Sequence, residues 1–580
     1  MHRRWLPWAI GVPVTVLVVA IGWVLVRGIG AVTDLQRVAD SSVQLKSAIA
    51  DGDLDSATTL SARISHHAHS AHELTSDPVW RAFGVVPWLG PNFTAVADVA
   101  QIADAVAEDA LRPVLDAAAA IDLSNLGLSG GTIDLAPFAE VEEPLALAHD
   151  TLSSAVIRAR QIDADATLPP LADAVGEMRA AVTEAATVVG TLHGAASLLP
   201  DMLGAAGPRD YVVAMQNNAE LRSSGGIIGA IALLHAENGR ISLSQQASTL
   251  DFPPLDAPLP VSASTTALFE DGPGRYLQNI TSIPDFTEAG PLIATRWQDR
   301  FGTPVDGVIA VDAVTAGHLL AATGPLTVGP FTVDEDNAVD VLLSQIYSAV
   351  PDPAQQDALF AQAATALFGA ALTHADPRQL VTALATSADE GRIRIWSAHE
   401  EEQTLLAGSS LSGALPSDGP AATYVGVLAN DTTGGKMDVY ADAEITTSIG
   451  TCDGAPTTQV RVTWTNDAPA DAATSLPAYV TGSGWYGVAP GAVRTLITVY
   501  GPEGATPSHI DRDGATQPVQ TAMLGTRSAV QHEVLLAPGE STTITIEYEG
   551  EGAGARLTEI AHTPLVGTPD IRTARLACSS

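Results

Sequence analysis

Apolar positions change their period along this chain. From Trp5 to Val26 (WLPWAIGVPVTVLVVAIGWVLV) they are nearly continuous and carry no charge. That is the length a helix needs to cross ~30 Å of hydrocarbon at ~1.5 Å per residue. From about Ala31 to Leu203 they recur in steps of four and three, best seen in Leu171, Val175, Met178, Val182, Ala185, Val189 and Leu192. A second seam runs through Val96, Val99, Ala103, Val106 and Ala110. Seams of this kind predict packed helices, separated by Gly and Pro clusters at Pro87–Pro91 and Leu126–Gly131, with a kink or break at Pro113.

After Pro208 the pattern shifts to short apolar runs bounded by turn residues, Tyr211–Met215 and Ile227–His235, as buried strands are. Asn238-Gly239 before Ile241–Leu243 signals a type I′ hairpin, because both turn positions need positive φ. Helical stretches (Glu288–Phe301, Ala313–Ala322, Asn337–Val350, Ala354–Leu372, Pro377–Ala388) then alternate with strands (Val305–Val311, Leu326–Val328, Arg392–Trp396). That alternation predicts an α/β domain with a mixed sheet. Beyond a Gly/Ser/Pro-rich linker, Val460, Val462 and Trp464, and later Ile544, Ile546 and Tyr548, alternate with polar residues. The expectation there is an antiparallel β-sandwich of immunoglobulin-like type. The layout read from the sequence is thus a tip and anchor (1–30), a helical bundle or stalk (31–205), an α/β domain (206–407), a linker (408–420) and a β-sandwich (421–580).

Charge narrows the partners. Sixty-six acidic residues against 28 basic ones give a net charge of −38, a field that repels phosphate backbones and leaves no footprint for nucleic acid. Only Lys46 and Lys436 are lysines, a bias read as genome composition and not as mechanism. His2, Arg3 and Arg4 precede the apolar run, so the positive-inside rule puts the N-terminus in the cytoplasm and the rest of the chain outside the cell membrane. A cleaved signal peptide is the rival reading. Cys452 and Cys578 are the only cysteines and suit one disulfide in an oxidising compartment. Unpaired thiols are the alternative.

The most unusual segment is Gln216–Gly229 (QNNAELRSSGGIIG), read as a polar loop between apolar strands, where α/β folds place ligands. Its Asn217, Asn218, Glu220, Arg222, Gly225, Gly226 and Gly229, with Ser282–Phe286 (SIPDF) and Val305–Asp312 (VDGVIAVD), resemble the bacterial envelope proteins of the domain of unknown function 4012 family. That core is in turn similar to the LytR-CpsA-Psr domain, whose members transfer glycopolymers from polyprenyl pyrophosphate carriers to peptidoglycan. In that comparison Arg222 and Asn279 match an arginine and an asparagine of the family motifs, while Ser224 and Gly225 stand where the motif has aspartate and threonine. The resemblance implies a lipid-linked glycan or peptidoglycan as partner, and Arg222 and Asp285 as catalytic groups.

On chemistry alone, Arg222 can grip a phosphate through its N–H fork, with Arg275, Arg296 and Arg300 as further basic residues of the module. Asp285 or Asp251 offers hard oxygen ligands to magnesium. Asn217, Asn218, Glu220, Gly225, Gly226, Arg275 and Asn279 complete the expected ligand site. Bracing of a loop by Arg222 against Glu220 or Asp285 is the competing reading. His66, His69, His72 and Glu73 have the spacing of a metal site or of a solvated helix face, and Asp334, Glu335, Asp336 and Asp340 read as helix-capping carboxylates. Two functions remain open: an envelope phosphotransferase, and a noncatalytic envelope protein that recognises glycan or a partner protein.

Overall fold

The computed structural model describes residues 6–50, 52–120, 132–407, 409–419, 422–550, 552–553, 557–576 and 578. The basic tip before Leu6, the Leu126–Gly131 break and both ends of the 408–420 linker lie outside the described residues. Two compact units make up the chain, Met1–Leu126 with Asp134–Asp201, and Gly127–Ile133 with Met202–Ser580.

The first unit is helical: α1 (Leu6–Ala50), α2 (Leu54–Thr75), α3 (Pro78–Phe83), α4 (Gly90–Val106), α5 (Arg112–Ala120), α6 (Ala136–Gln161) and α7 (Pro169–Met202). α1 is, among the described residues, the one helix long and apolar enough to cross a membrane. It continues without a break into the bundle, so the expected boundary at residue 30 falls inside one helix about 68 Å long at ~1.5 Å per residue. The α7 seam forms the core: Val175, Val182 and Val189 are buried, while Leu171, Met178 and Ala185 pack against them. On the second seam Ala110 is buried and Val99 and Val106 are half-buried, the α4 face being centred on Ala95 and Ile102 instead. Leu192, the last position of the α7 seam, is exposed. The chain stays helical through Pro113, but a π-helical turn over Ala107–Leu111 separates α4 from α5 just before it, an irregularity of the kind a proline that cannot donate imposes on a helix.

The second unit begins with a five-stranded mixed sheet. Its strands are β1 (Arg209–Arg222), β2 (Gly225–Glu237), β3 (Arg240–Ser248), β4 (Gly307–Asp312) and β5 (Arg394–Ser397), in the order β3-β2-β1-β4-β5. β1 pairs parallel with β4, and the other pairs are antiparallel. The β2–β3 turn has positive φ at Asn238 (50°) and Gly239 (77°), as type I′ geometry requires. α8 (Phe286–Phe301) lays Phe286, Ile293 and Trp297 on one face of the sheet, in a core with Val212, Ile231 and Val308. α9 (Ala313–Thr323), α10 (Pro353–Thr373) and α11 (Pro377–Asp389) follow β4.

The remaining strands are β6 (Ala422–Asp431), β7 (Ala441–Cys452), β8 (Ala455–Asn466), β9 (Val493–Glu503), β10 (Thr506–Arg512), β11 (Gln520–Leu524), β12 (Arg527–Leu536), β13 (Ser541–Glu549), β14 (Leu557–His562) and β15 (Asp570–Arg575). They form two five-stranded sheets, β10-β13-β8-β7-β15 and β11-β12-β9-β6-β14. The alternating Val460, Val462, Trp464, Ile544, Ile546 and Tyr548 of the first share one core with Val425, Ile497, Val499 and Val530 of the second. These sheets are mixed, against the antiparallel expectation: β14 adds to β6 and β15 to β7 in parallel. Each is a late strand returning beside an early one, a long-range pairing that local alternation does not encode. Cys452 and Cys578 form a disulfide.

Candidate functional site

The polar segment Gln216–Gly229 is strand, with only Ser223-Ser224 as its turn. The β1–β2 register shifts between Asn217 and Leu221, which bends the hairpin away from its own sheet. Two glycines make the bend possible. A side chain at Gly226 would sit 2.3 Å from the Asn217 carbonyl, and Gly225 has φ 133° with the Gln216 amide oxygen 2.5 Å from where its Cβ would be. The tip docks against the C-terminal sheets. Leu221 is buried in their core, and its N–H donates to Asp438 Oδ2 at 2.7 Å. Ser223 N–H donates to Asn430 Oδ1 at 3.0 Å, and Thr563 Oγ1 donates to the Ser223 carbonyl at 3.2 Å.

Arg222 belongs to this junction. Its guanidinium donates to the carbonyls of Leu221 (2.8 Å) and Asp431 (3.1 Å) and reaches Asn279 Oδ1 at 3.4 Å. The other arginines of the module also donate to main-chain carbonyls: Arg275 to Leu255 and Asp256, Arg296 to Pro253, and Arg300 to Asp251. Asp285 caps α8, accepting from Thr287 N–H at 2.9 Å and its hydroxyl at 2.7 Å. Asn218 is buried between Asp312 Oδ2 (2.9 Å) and the Pro564 carbonyl (3.3 Å). Arg392 donates to the same Asp312 oxygen at 2.9 Å.

Of the expected ligand residues, Asn217 and Glu220 line a cavity of about 580 Å³, whereas Arg222, Asp285, Asn218, Gly225, Gly226, Arg275 and Asn279 are not among its lining residues. The walls come from β1 and β2 (Met215, Ile228), α9 (Leu320) and α10 (Phe360, Ala363, Leu367). The space follows from composition, because alanines Ala316, Ala363 and Ala364 line it where larger side chains would fill it. Its volume and largely apolar wall are those of small-molecule sites.

Polar residues also line it, Gln278, Asp312, Gln356 and Asp357 among them, and one group is built around a cation. Lys436, from the loop after β6, forms an ion pair with Glu220 and lies over the rings of Tyr347 (4.6 Å) and Tyr479 (5.3 Å). Burial opposes the ammonium, but Glu220 and then the two tyrosines outweigh it, so its pKa is raised above the ordinary lysine value. Asn217 Nδ2 donates to Tyr347 OH at 2.7 Å. Burial pushes the Tyr347 phenol up to about 12, so it stays protonated at neutral pH. Sequence reading missed Lys436, Tyr347 and Tyr479. The available signal was the rarity of lysine, set here after Gly434-Gly435.

Beside this end, burial raises Asp438 well above the usual carboxylate range, and the neighbouring Asp431 adds to the shift. The folded state therefore keeps a proton that the unfolded chain loses above about pH 4. Stability consequently falls as pH rises from there through the folded value. Asp438→Asn keeps the acceptor for Leu221 and carries no charge. It is expected to melt higher than wild type at pH 8, with the difference shrinking toward pH 4. Equal pH slopes for the two proteins in thermal melts would remove this assignment.

In the helical unit, His69 lies near Asp104 (3.3 Å) and Glu73 (3.6 Å), and His67 pairs with Asp34 at 2.9 Å. Among the described residues, no group of three or more His, Cys, Asp or Glu could hold a metal ion.

Residues 206–347 match the family model described as Protein of unknown function (DUF4012). The match spans the bent hairpin, β4 and α9, and ends at Tyr347. No curated protein matches the chain.

Proposed function

We propose that this DUF4012 protein is a single-pass, extracytoplasmic protein of the cell envelope that binds the apolar chain of a lipid-linked glycan in the central cavity, with the polar head at Lys436. The observation that carries the reading is the cavity itself, about 580 Å³ with a largely apolar lining and a single cation among its lining residues. Binding is favoured over phosphoryl transfer because Arg222 spends its N–H groups on carbonyls and Asn279, and Asp285 spends one carboxylate oxygen on a helix cap. An apolar N-terminal helix supports attachment to the membrane in which such lipids reside.

The test is a titration of the ectodomain, without detergent, with polyprenyl phosphates of graded length. Each buried CH₂ is worth about 0.8 kcal/mol, so each added five-carbon isoprene unit should raise affinity by more than tenfold until the cavity is full. Release of polyprenyl phosphate from a pyrophosphate-linked glycan would restore the transferase reading. Affinity independent of chain length would exclude the cavity as the site.

A further inference from the structure

The helical unit carries a second apolar feature at the end where α1 emerges from its uncharged run. α2 runs back along α1: His67 pairs with Asp34, Leu74 packs closely on Gly30, where an added Cβ would lie 3.0 Å from its methyl, and Trp80 of α3 lies over Gly28. Arg27 fixes this level by pairing with Asp77 at 2.8 Å and donating to the Leu74 carbonyl at 2.8 Å. The bundle then turns through residues 84–89 before α4 leads away, since α4 returns along α2 with Asp104 beside His69.

That turn is apolar and exposed. Val85 is 83%, Trp88 92% and Leu89 56% exposed. From Pro78 to Phe93 the chain has no acidic residue and one cation, Arg81, in a protein of net charge −38. The turn is also rigidly held. Trp80 is buried, donates to the Phe93 carbonyl at 3.0 Å and packs edge-on against the Phe93 ring. Phe83 meets the same ring at 5.6 Å, and the Gly90 N–H donates to the Val86 carbonyl at 2.7 Å. Trp88 has φ 64°, a left-handed conformation that a bulky residue adopts at a cost. Leu168, another exposed apolar residue, is tied to the base of the turn by its N–H bond to Asn92 Oδ1 at 2.8 Å.

We propose that the 84–89 turn, with Leu168 beside it, inserts into the interfacial layer of the membrane that α1 spans, giving the bundle a second attachment at its base. The occupant is lipid because α3, which leads into the turn, packs at the level of Arg27 and Gly28, within one helical turn of the exposed Leu25, Val26 and Ile29 on α1, and because the turn lacks the acidic residues that cover the rest of the chain. Its Trp and flanking arginines are the residue types that settle at a headgroup boundary. The proposal rests on the reading of α1 as an anchor. It is independent of the cavity.

The test uses the full chain in phosphatidylcholine vesicles containing doxyl-labelled phosphatidylcholine. Single cysteines are introduced at Trp88, Val85, Leu25 or Val43 and labelled with an environment-sensitive nitrobenzoxadiazole dye. Quenching and a blue shift at Trp88→Cys and Val85→Cys as strong as at Leu25→Cys, with none at Val43→Cys further along α1, is the expected result. Quenching at Leu25→Cys alone overturns the proposal and leaves the anchor standing, in which case the turn faces solvent or a protein. No quenching at any position overturns both.

Discussion

Replacing Lys436 by Met is expected to destabilise the protein by about 3–5 kcal/mol, because it leaves Glu220 as an unpaired charge in a largely desolvated site. The two side chains are 9% and 17% exposed, too little for water to take the place of the lost partner. Glu220→Gln alone leaves the ammonium between Tyr347 and Tyr479, whose ring faces offset part of the loss. The double variant Lys436→Met/Glu220→Gln should recover most of the stability, since replacing a buried pair by neutral groups is often close to neutral. Chemical denaturation of the four proteins gives the coupling directly. A cost below about 1 kcal/mol for Lys436→Met would mean a solvated surface pair, and the polar end of the cavity would lose its defining feature.

Ala363→Trp is expected to weaken lipid binding about a hundredfold while leaving the fold intact. Ala363 lines the cavity from α10, and an indole there occupies space that would otherwise take several methylenes. At about 0.8 kcal/mol per buried CH₂, displacing three or four of them weakens binding on the order of a hundredfold. Overpacking a filled core costs about 1–3 kcal/mol, but this side chain enters a space with room for it. A melting temperature close to wild type with lost affinity supports the cavity as the site. Unchanged affinity would place the ligand elsewhere.

The architecture was legible where the physics is local. The period-four seam gave α7 its buried face, Asn238-Gly239 gave its hairpin, and alternation in Val460–Trp464 and Ile544–Tyr548 gave two paired strands of one sheet. In α4 the seam missed by one position, since Ala95, Ala100 and Ile102 are buried where Val96, Val99 and Ala103 were expected. What failed to read was long-range. Parallel addition of β14 and β15 joins segments more than a hundred residues apart, and no local pattern records it.

The site was legible only in part for the same reason. Asn217 and Glu220 stand out in the sequence as polar groups on an otherwise apolar hairpin, and both line the cavity. Arg222 carries the same kind of signal, yet its partners at Asp431 and Asn279 come from distant parts of the chain. A polar residue at a domain junction and a polar residue in a ligand site look alike until the partners are known. Lys436 is the converse case: a plain lysine in sequence becomes the charged end of the cavity because β6 delivers it beside Glu220. Asp285, a serviceable metal ligand by type, is instead the N-cap its position before Phe286 also predicts.

The central claim is that the cavity holds an apolar chain, and native mass spectrometry of the detergent-free protein after incubation with a polyprenyl phosphate tests it most directly. One retained lipid per wild-type chain, absent from Ala363→Trp, is the predicted result. A wild-type protein that emerges without lipid, or a variant that retains as much as wild type, would contradict it.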